Sequence, residues 1–225
     1  MIDKSQFYRD DMFPCTAGVD LFSCRVVIHG IGSNRLETVV LRSKNKEIRL
    51  RRLEMIIETE RLVIREFDLS MAKAVHENSL DEDNRKFIPD EVFETEEDAK
   101  ETIAFLIGQY SKEDGPFAYP VLTKKNENIG YVQIAPIENG WEIGYHIAKK
   151  YTGNGYATEA VSAFLPVIAE KKALLAIYGI CLKENVASAR VMEKCGFENL
   201  YNGVGEYGGE RREIIKNIWR KPRQE

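Results

Sequence analysis

Trp141 to Ala160 reads WEIGYHIAKKYTGNGYATEA, and how this stretch is interpreted decides the fold. Trp141 to Ile147 is a strand-like run that leads through a short polar turn into Gly153-Asn154-Gly155. A helix is expected to open at Tyr156-Ala157-Thr158-Glu159-Ala160. Glycines let the backbone come close to a ligand, and unpaired N–H groups at a helix start form an anion cradle reinforced by the helix dipole. By itself such a turn most often does no more than start a helix.

A second stretch lies downstream. Ala176 to Leu182 (AIYGICL) is rich in β-formers, and Asn185 to Phe197 (NVASARVMEKCGF) follows as a helix closed by Gly196. Together the two stretches resemble the central motifs of the GNAT acetyltransferase superfamily. One is the pyrophosphate loop Q/R-x-x-G-x-G/A, here Thr152 to Ala157 with Thr152 in the Gln/Arg place. The other is N-x-x-S-x-x-x-x-E-K-x-G-F. The wording GYATEA and an opening ETERLVIREF at Glu58 to Phe67 are most similar to the RimJ/RimL-type branch, and the resemblance covers roughly residues 55 to 220.

That resemblance implies an α+β fold: a mixed, mostly antiparallel central sheet with flanking helices and splayed central strands. It also implies acetyl-CoA as acyl donor and an amine as acceptor, either a protein N-terminus or a small molecule. Tyr145, His146 and Ile147 are expected to offer backbone groups to the pantetheine. Gly153, Asn154, Gly155, Tyr156, Ala157 and Thr158 would cradle the pyrophosphate, and Asn185 would bond the pantetheine arm.

Proton transfer is less well supplied. Many family members place a tyrosine seven residues after the asparagine to protonate the thiolate, and here that place is Met192. Ser188 is the alternative donor, weighed against simple capping of the helix start. A common site for the base falls at Tyr178-Gly179-Ile180, which holds no carboxylate. Glu142 and His146 share one face of the central strand, and Glu142 is the preferred base, against a structural carboxylate. These departures motivate the competing expectation of a CoA-binding sensor or partner-binding module without catalysis.

Bulk properties exclude several classes. With 225 residues, 44% apolar, 30% charged and net charge −4, the chain reads as one ordinary soluble domain with spare length. Nothing global calls for nucleic acid or a membrane, and no apolar run approaches the ~20 residues of a membrane span. Cys15, Cys24, Cys181 and Cys195 show no metal-ligand spacing, so no metal is expected; a reducing, cytoplasmic setting is. A homodimer is compatible with such a domain.

Residues 1–54 do not resemble the family. They carry ten basic against seven acidic residues, net +3, leaving −7 for residues 55–225. This segment is expected to be an extension, poorly ordered or outside the family domain, with a small hairpin between Gly18 and Leu41. An RNA-touching arm ending in the basic run Arg42 to Arg52 is the competing reading. Within 55–225, Ser70 and Thr95 are expected helix N-caps, and Asp81 to Asn84 a turn. Asn139-Gly140 is expected as a hairpin turn, Pro166 as a local conflict within its helix, and Phe87, Ile88, Asp90 and Glu91 as acceptor-groove positions.

Overall fold

The computed structural model describes residues 25–32, 35–43, 46–49 and 55–222, and the chain divides into two compact units at Glu54/Met55. In the first unit β1 (Arg25–Gly32), β2 (Arg35–Ser43) and β3 (Lys46–Arg49) form an antiparallel meander. The expected hairpin is there, with a third strand added.

The second unit opens with a narrow hairpin, β4 (Ile56–Glu58) and β5 (Leu62–Arg65). Two helices follow, α1 (Ala72–Ser79) and the short α2 (Glu82–Phe87). Asp68, not Ser70, caps the 3-10 turn that leads into α1, accepting the Ser70 N–H at 3.0 Å. Both residues suit a cap; the carboxylate engages the first free N–H two residues on. Asp81 to Asn84 is likewise no simple turn, because the Asp81 carboxylate accepts the Asn84 N–H at 2.9 Å and starts α2. Helix α3 (Glu96–Gln109) begins with the expected Thr95 cap, reciprocated by Asp98 as a capping box.

Strands β6 (Phe117–Thr123), β7 (Asn128–Ile137) and β8 (Gly140–Ile147) form an antiparallel meander. Its second turn is Glu138-Asn139, one residue earlier than expected, because Gly140 already pairs with Ile137. Then come α4 (Tyr156–Lys171), β9 (Ala176–Leu182), α5 (Val186–Lys194) and the closing hairpin β10 (Glu198–Tyr207) and β11 (Glu210–Arg220). The eight strands run in the order β10-β11-β9-β8-β7-β6-β5-β4. Every neighbouring pair is antiparallel except β8 and β9, which are parallel and in register only at Glu142 and Tyr178. Beyond that point the two central strands part.

Helices cover both faces of the sheet, so β6 (FAYPVLT) is buried along nearly its whole length. Helix α4 buries Ala160, Val161, Phe164, Leu165, Ile168 and Ala169, a stripe at helical spacing. Pro166 lies off that stripe, and the helix continues through it. Phe164 is fully buried, its ring 5.5 Å from that of Tyr119. Phe164→Ala is expected to cost about 3–5 kcal/mol of stability, read as a lower midpoint in urea unfolding.

Candidate active site

Gly153 and Gly155 both adopt left-handed backbone, φ +79° and +80°. A side chain would be strained at either position, and the space beside Gly153 is open. Among the described residues no side chain caps α4, and its first backbone bond is Glu159 N–H to Gly155 O at 3.1 Å. The amides of Tyr156, Ala157 and Thr158 therefore have no helical acceptor and face outward as donors. Asn154 braces the loop from within, its Nδ2 donating to the carbonyls of Tyr151 at 3.0 Å and Thr152 at 3.1 Å.

The two ends of the family-like wording meet here. Glu159 accepts from the Thr59 hydroxyl at 2.5 Å, the Arg61 amide at 3.1 Å and Arg61 Nε at 2.6 Å. Arg61 also donates to the Asn154 carbonyl at 3.0 Å, and its guanidinium lies 4.6 Å from the centre of the Tyr156 ring. Burial pushes the Glu159 carboxyl up, but these bonds together outweigh it and hold the group below its ordinary range. The β4–β5 turn thus clamps the glycine loop and brings a guanidinium beside an anion cradle.

At the parting of the strands, alternation divides β8 into two faces. Ile143, Tyr145 and Ile147 pack into the core under α4, while Glu142, Gly144 and His146 face the other way. Past Glu142 the β9-side edge of β8 carries no strand partner among the described residues, so Tyr145, His146 and Ile147 lie along an open backbone edge. The Tyr145 hydroxyl lies 2.8 Å from Ser188 Oγ and 2.9 Å from the Ser188 carbonyl. Burial pushes the Tyr145 phenol well up, so it keeps its proton. Asn185 caps α5, accepting the Ser188 N–H at 3.1 Å. In Asn-x-x-Ser the asparagine carries the cap, which leaves the serine hydroxyl for other work.

Met192 is buried, and its sulfur fills the space over Gly179, where any side chain would collide with it. The two departures from the family pattern are therefore one packing event, a glycine and a thioether sharing a single volume. The sequence offers Tyr145 only a backbone role, and its hydroxyl contact with Ser188 appears in the fold alone. No spacing rule links a strand residue to a helix 43 positions later.

On the opposite face Gln133 lies across Gly144, where a methyl group would stand 2.8 Å from Gln133 Nε2. That amide donates to Glu91 Oε1 at 3.0 Å. The Tyr207 hydroxyl donates to the Phe87 carbonyl at 3.3 Å, tying the closing hairpin to the loop that carries Glu91. Glu142 accepts the Ile180 N–H across the parting strands, and burial still raises its carboxyl to about 7. Burial likewise raises Glu91 to about 7. Two adjacent alternations on a strand lie ~7 Å apart, so Glu142 and the Gln133–Glu91 pair over Gly144 share one face of the sheet, with the Tyr207 hydroxyl near both carboxylates. His146 lies further along the same face, with Nε2 3.4 Å from Asp81 Oδ2.

Residues 61–198 match the family model described as "Acetyltransferase (GNAT) domain". Over 145 residues the chain is 38% identical to the uncharacterized N-acetyltransferase YnaD of Bacillus subtilis, covering 63% of this chain and 82% of that protein. A GNAT-family acetyltransferase from Bacillus anthracis superposes with a TM-score of 0.63 at 32% identity, covering 74% of this chain and 98% of the other. RimL, the ribosomal L7/L12 α-N-protein acetyltransferase solved with coenzyme A, shares the fold at a TM-score of 0.64 and 20% identity, covering 74% and 98%. The chain belongs to the GNAT acetyltransferase family. It is an acyl-CoA-dependent acetyltransferase of α+β fold, and among the described residues no helix is long and apolar enough to cross a membrane.

Proposed function

We propose that the protein transfers acetyl from acetyl-CoA directly to a primary amine in a ternary complex. The observation that carries this reading is the α4 entry: two left-handed glycines, three outward amides and the Arg61 guanidinium arranged for a diphosphate. Gly153, Asn154, Gly155, Tyr156, Ala157 and Thr158 would hold that group. The open edge at Tyr145, His146 and Ile147 would pair with the pantetheine, and Asn185 would contact its arm through the amide nitrogen left over from capping. The cofactor supplies an activated thioester; the chain aligns it, excludes water and handles protons.

Glu142 is the proposed acceptor of the proton lost as nitrogen attacks, since a carboxyl near 7 matches that task at neutral pH. Ser188 is the proposed donor to the departing thiolate, its hydroxyl held in place by Tyr145. The acceptor is a peptide N-terminus or a small amine; the similarity in fold to RimL, an acetyltransferase of ribosomal L7/L12, supports the first, and the net −7 of residues 55–225 suits any cationic amine.

Gly155→Val tests the cradle. Strain at φ +80° and a side chain beside the loop are expected to weaken CoA at least about tenfold by calorimetry, roughly 1.4 kcal/mol. Unchanged affinity would remove the diphosphate from this loop.

A further inference from the structure

Acetylating an ammonium strips two protons from one nitrogen. The first must leave before a lone pair exists to attack, and the second leaves as the amide forms. The thiolate takes up only one of them. At neutral pH the other has to reach solvent from a groove closed by cofactor and acceptor.

Glu91 is placed for this. Its carboxylate is held by Gln133, has Asp90 beside it, and makes no ion pair among the described residues. Next to it lies a cavity of about 20 Å³, the room of one water molecule, bordered by Asn84, Asn128, Glu91 and His146 among others. Asn84 is 2% exposed and Asn128 9%, yet neither side-chain Nδ2 has an acceptor among the described residues. Two buried donors without partners, a carboxylate and an imidazole around a water-sized space form a complete set of partners for one water.

Beyond it, His146 leans on Asp81, which is partly exposed and also accepts the amides of Asn84 and Lys149, at 2.9 and 3.2 Å. Burial favours the neutral ring, with Asp81 and Asp83 pulling the other way. A neutral imidazole can take a proton on one nitrogen and release one from the other. The remaining neighbours are the Tyr131 ring, 5.9 Å from that of His146, and Tyr207, whose hydroxyl feels both Glu91 and Glu142.

We infer that Glu91, a water held by Asn84 and Asn128, and the His146–Asp81 pair form the exit path for the first proton of the ammonium. This rests on the amine-acetylation reading above. The ammonium N–H bond breaks and a Glu91 O–H forms. Glu91 passes that proton to the water, the water protonates His146, and His146 releases one through Asp81 to solvent. Glu142 and Ser188 then serve only the second proton.

The test compares ethylamine, cationic at pH 7, with 2,2,2-trifluoroethylamine, which is already neutral and needs no such exit. Glu91→Gln is expected to lower kcat/KM for ethylamine about 30-fold and for the fluorinated amine less than about 3-fold, below the full contribution of general-base catalysis. Equal losses on both amines overturn the path. A crystal structure of the wild-type CoA complex gives an independent readout. A water within hydrogen-bond reach of Asn84 Nδ2 and Asn128 Nδ2 is expected, and a dry cavity overturns the path while leaving acetyl transfer standing. Wild-type turnover of neither amine, with CoA still bound, sinks the small-amine reading, and the crystallographic water alone then decides the path.

Discussion

Glu142→Gln is expected to lower kcat about 10³-fold at pH 7, within the usual span of general-base catalysis, while CoA affinity stays as in the parent protein. Glutamine is the informative replacement because its carbonyl can still accept the Ile180 N–H that Glu142 accepts where the strands part. If Glu142 merely braces that junction, the variant turns over normally. If it takes the proton, the variant is crippled and still folded. The parent rate should rise with pH through an apparent pKa near 7, because the working form is the ionised one. Folding stability should run the opposite way. A carboxyl ordinarily near 4.5 and raised to about 7 in the fold contributes stability that is fully present below 4.5 and lost as pH climbs through 7. Melts between pH 5 and 8 should therefore fall less steeply in the glutamine variant. Lys216, whose ammonium sits 4.7 Å from the centre of the Tyr178 ring, tempers the rise without cancelling it.

The parts of this site legible in the sequence are those made of neighbours. Glycines at 153 and 155 before a helical pattern require an uncapped, amide-rich entry, and that entry is present. Thr95 with Asp98 announces a capping box for the same reason. Pairings across the chain leave no such trace. Glu91 was readable as a groove position, but its bond to Gln133 depends on a glycine in a third strand position to make room. The Thr59 and Arg61 clamp on Glu159 spans about a hundred residues, so the motif ETERL and the motif GYATEA look independent until folded. Met192 read as a missing proton donor; its fit over Gly179 makes it a core residue instead.

Ser188→Ala is expected to lower kcat about 10²-fold with CoA binding unchanged, because the serine hydroxyl is not what starts α5. The helix cap is the Asn185 carbonyl oxygen on the Ser188 N–H, and alanine keeps that N–H. What alanine removes is the hydroxyl 2.8 Å from that of Tyr145, which also faces the Cys181 thiol at the α5 end of the open β8 edge. Tyr145→Phe should then cost less than Ser188→Ala, since phenylalanine removes a bond that orients the serine hydroxyl but leaves the donor in place. Were the order reversed, the phenol itself would be the donor and the serine its support. A sensor without chemistry predicts a third pattern: wild-type protein that binds CoA tightly, releases no free thiol with any amine, and therefore has no rate for either substitution to reduce. Thiol release measured on the three proteins, beside calorimetry with CoA, separates these outcomes in one series, because only the enzyme reading couples a fall in rate to an unmoved affinity.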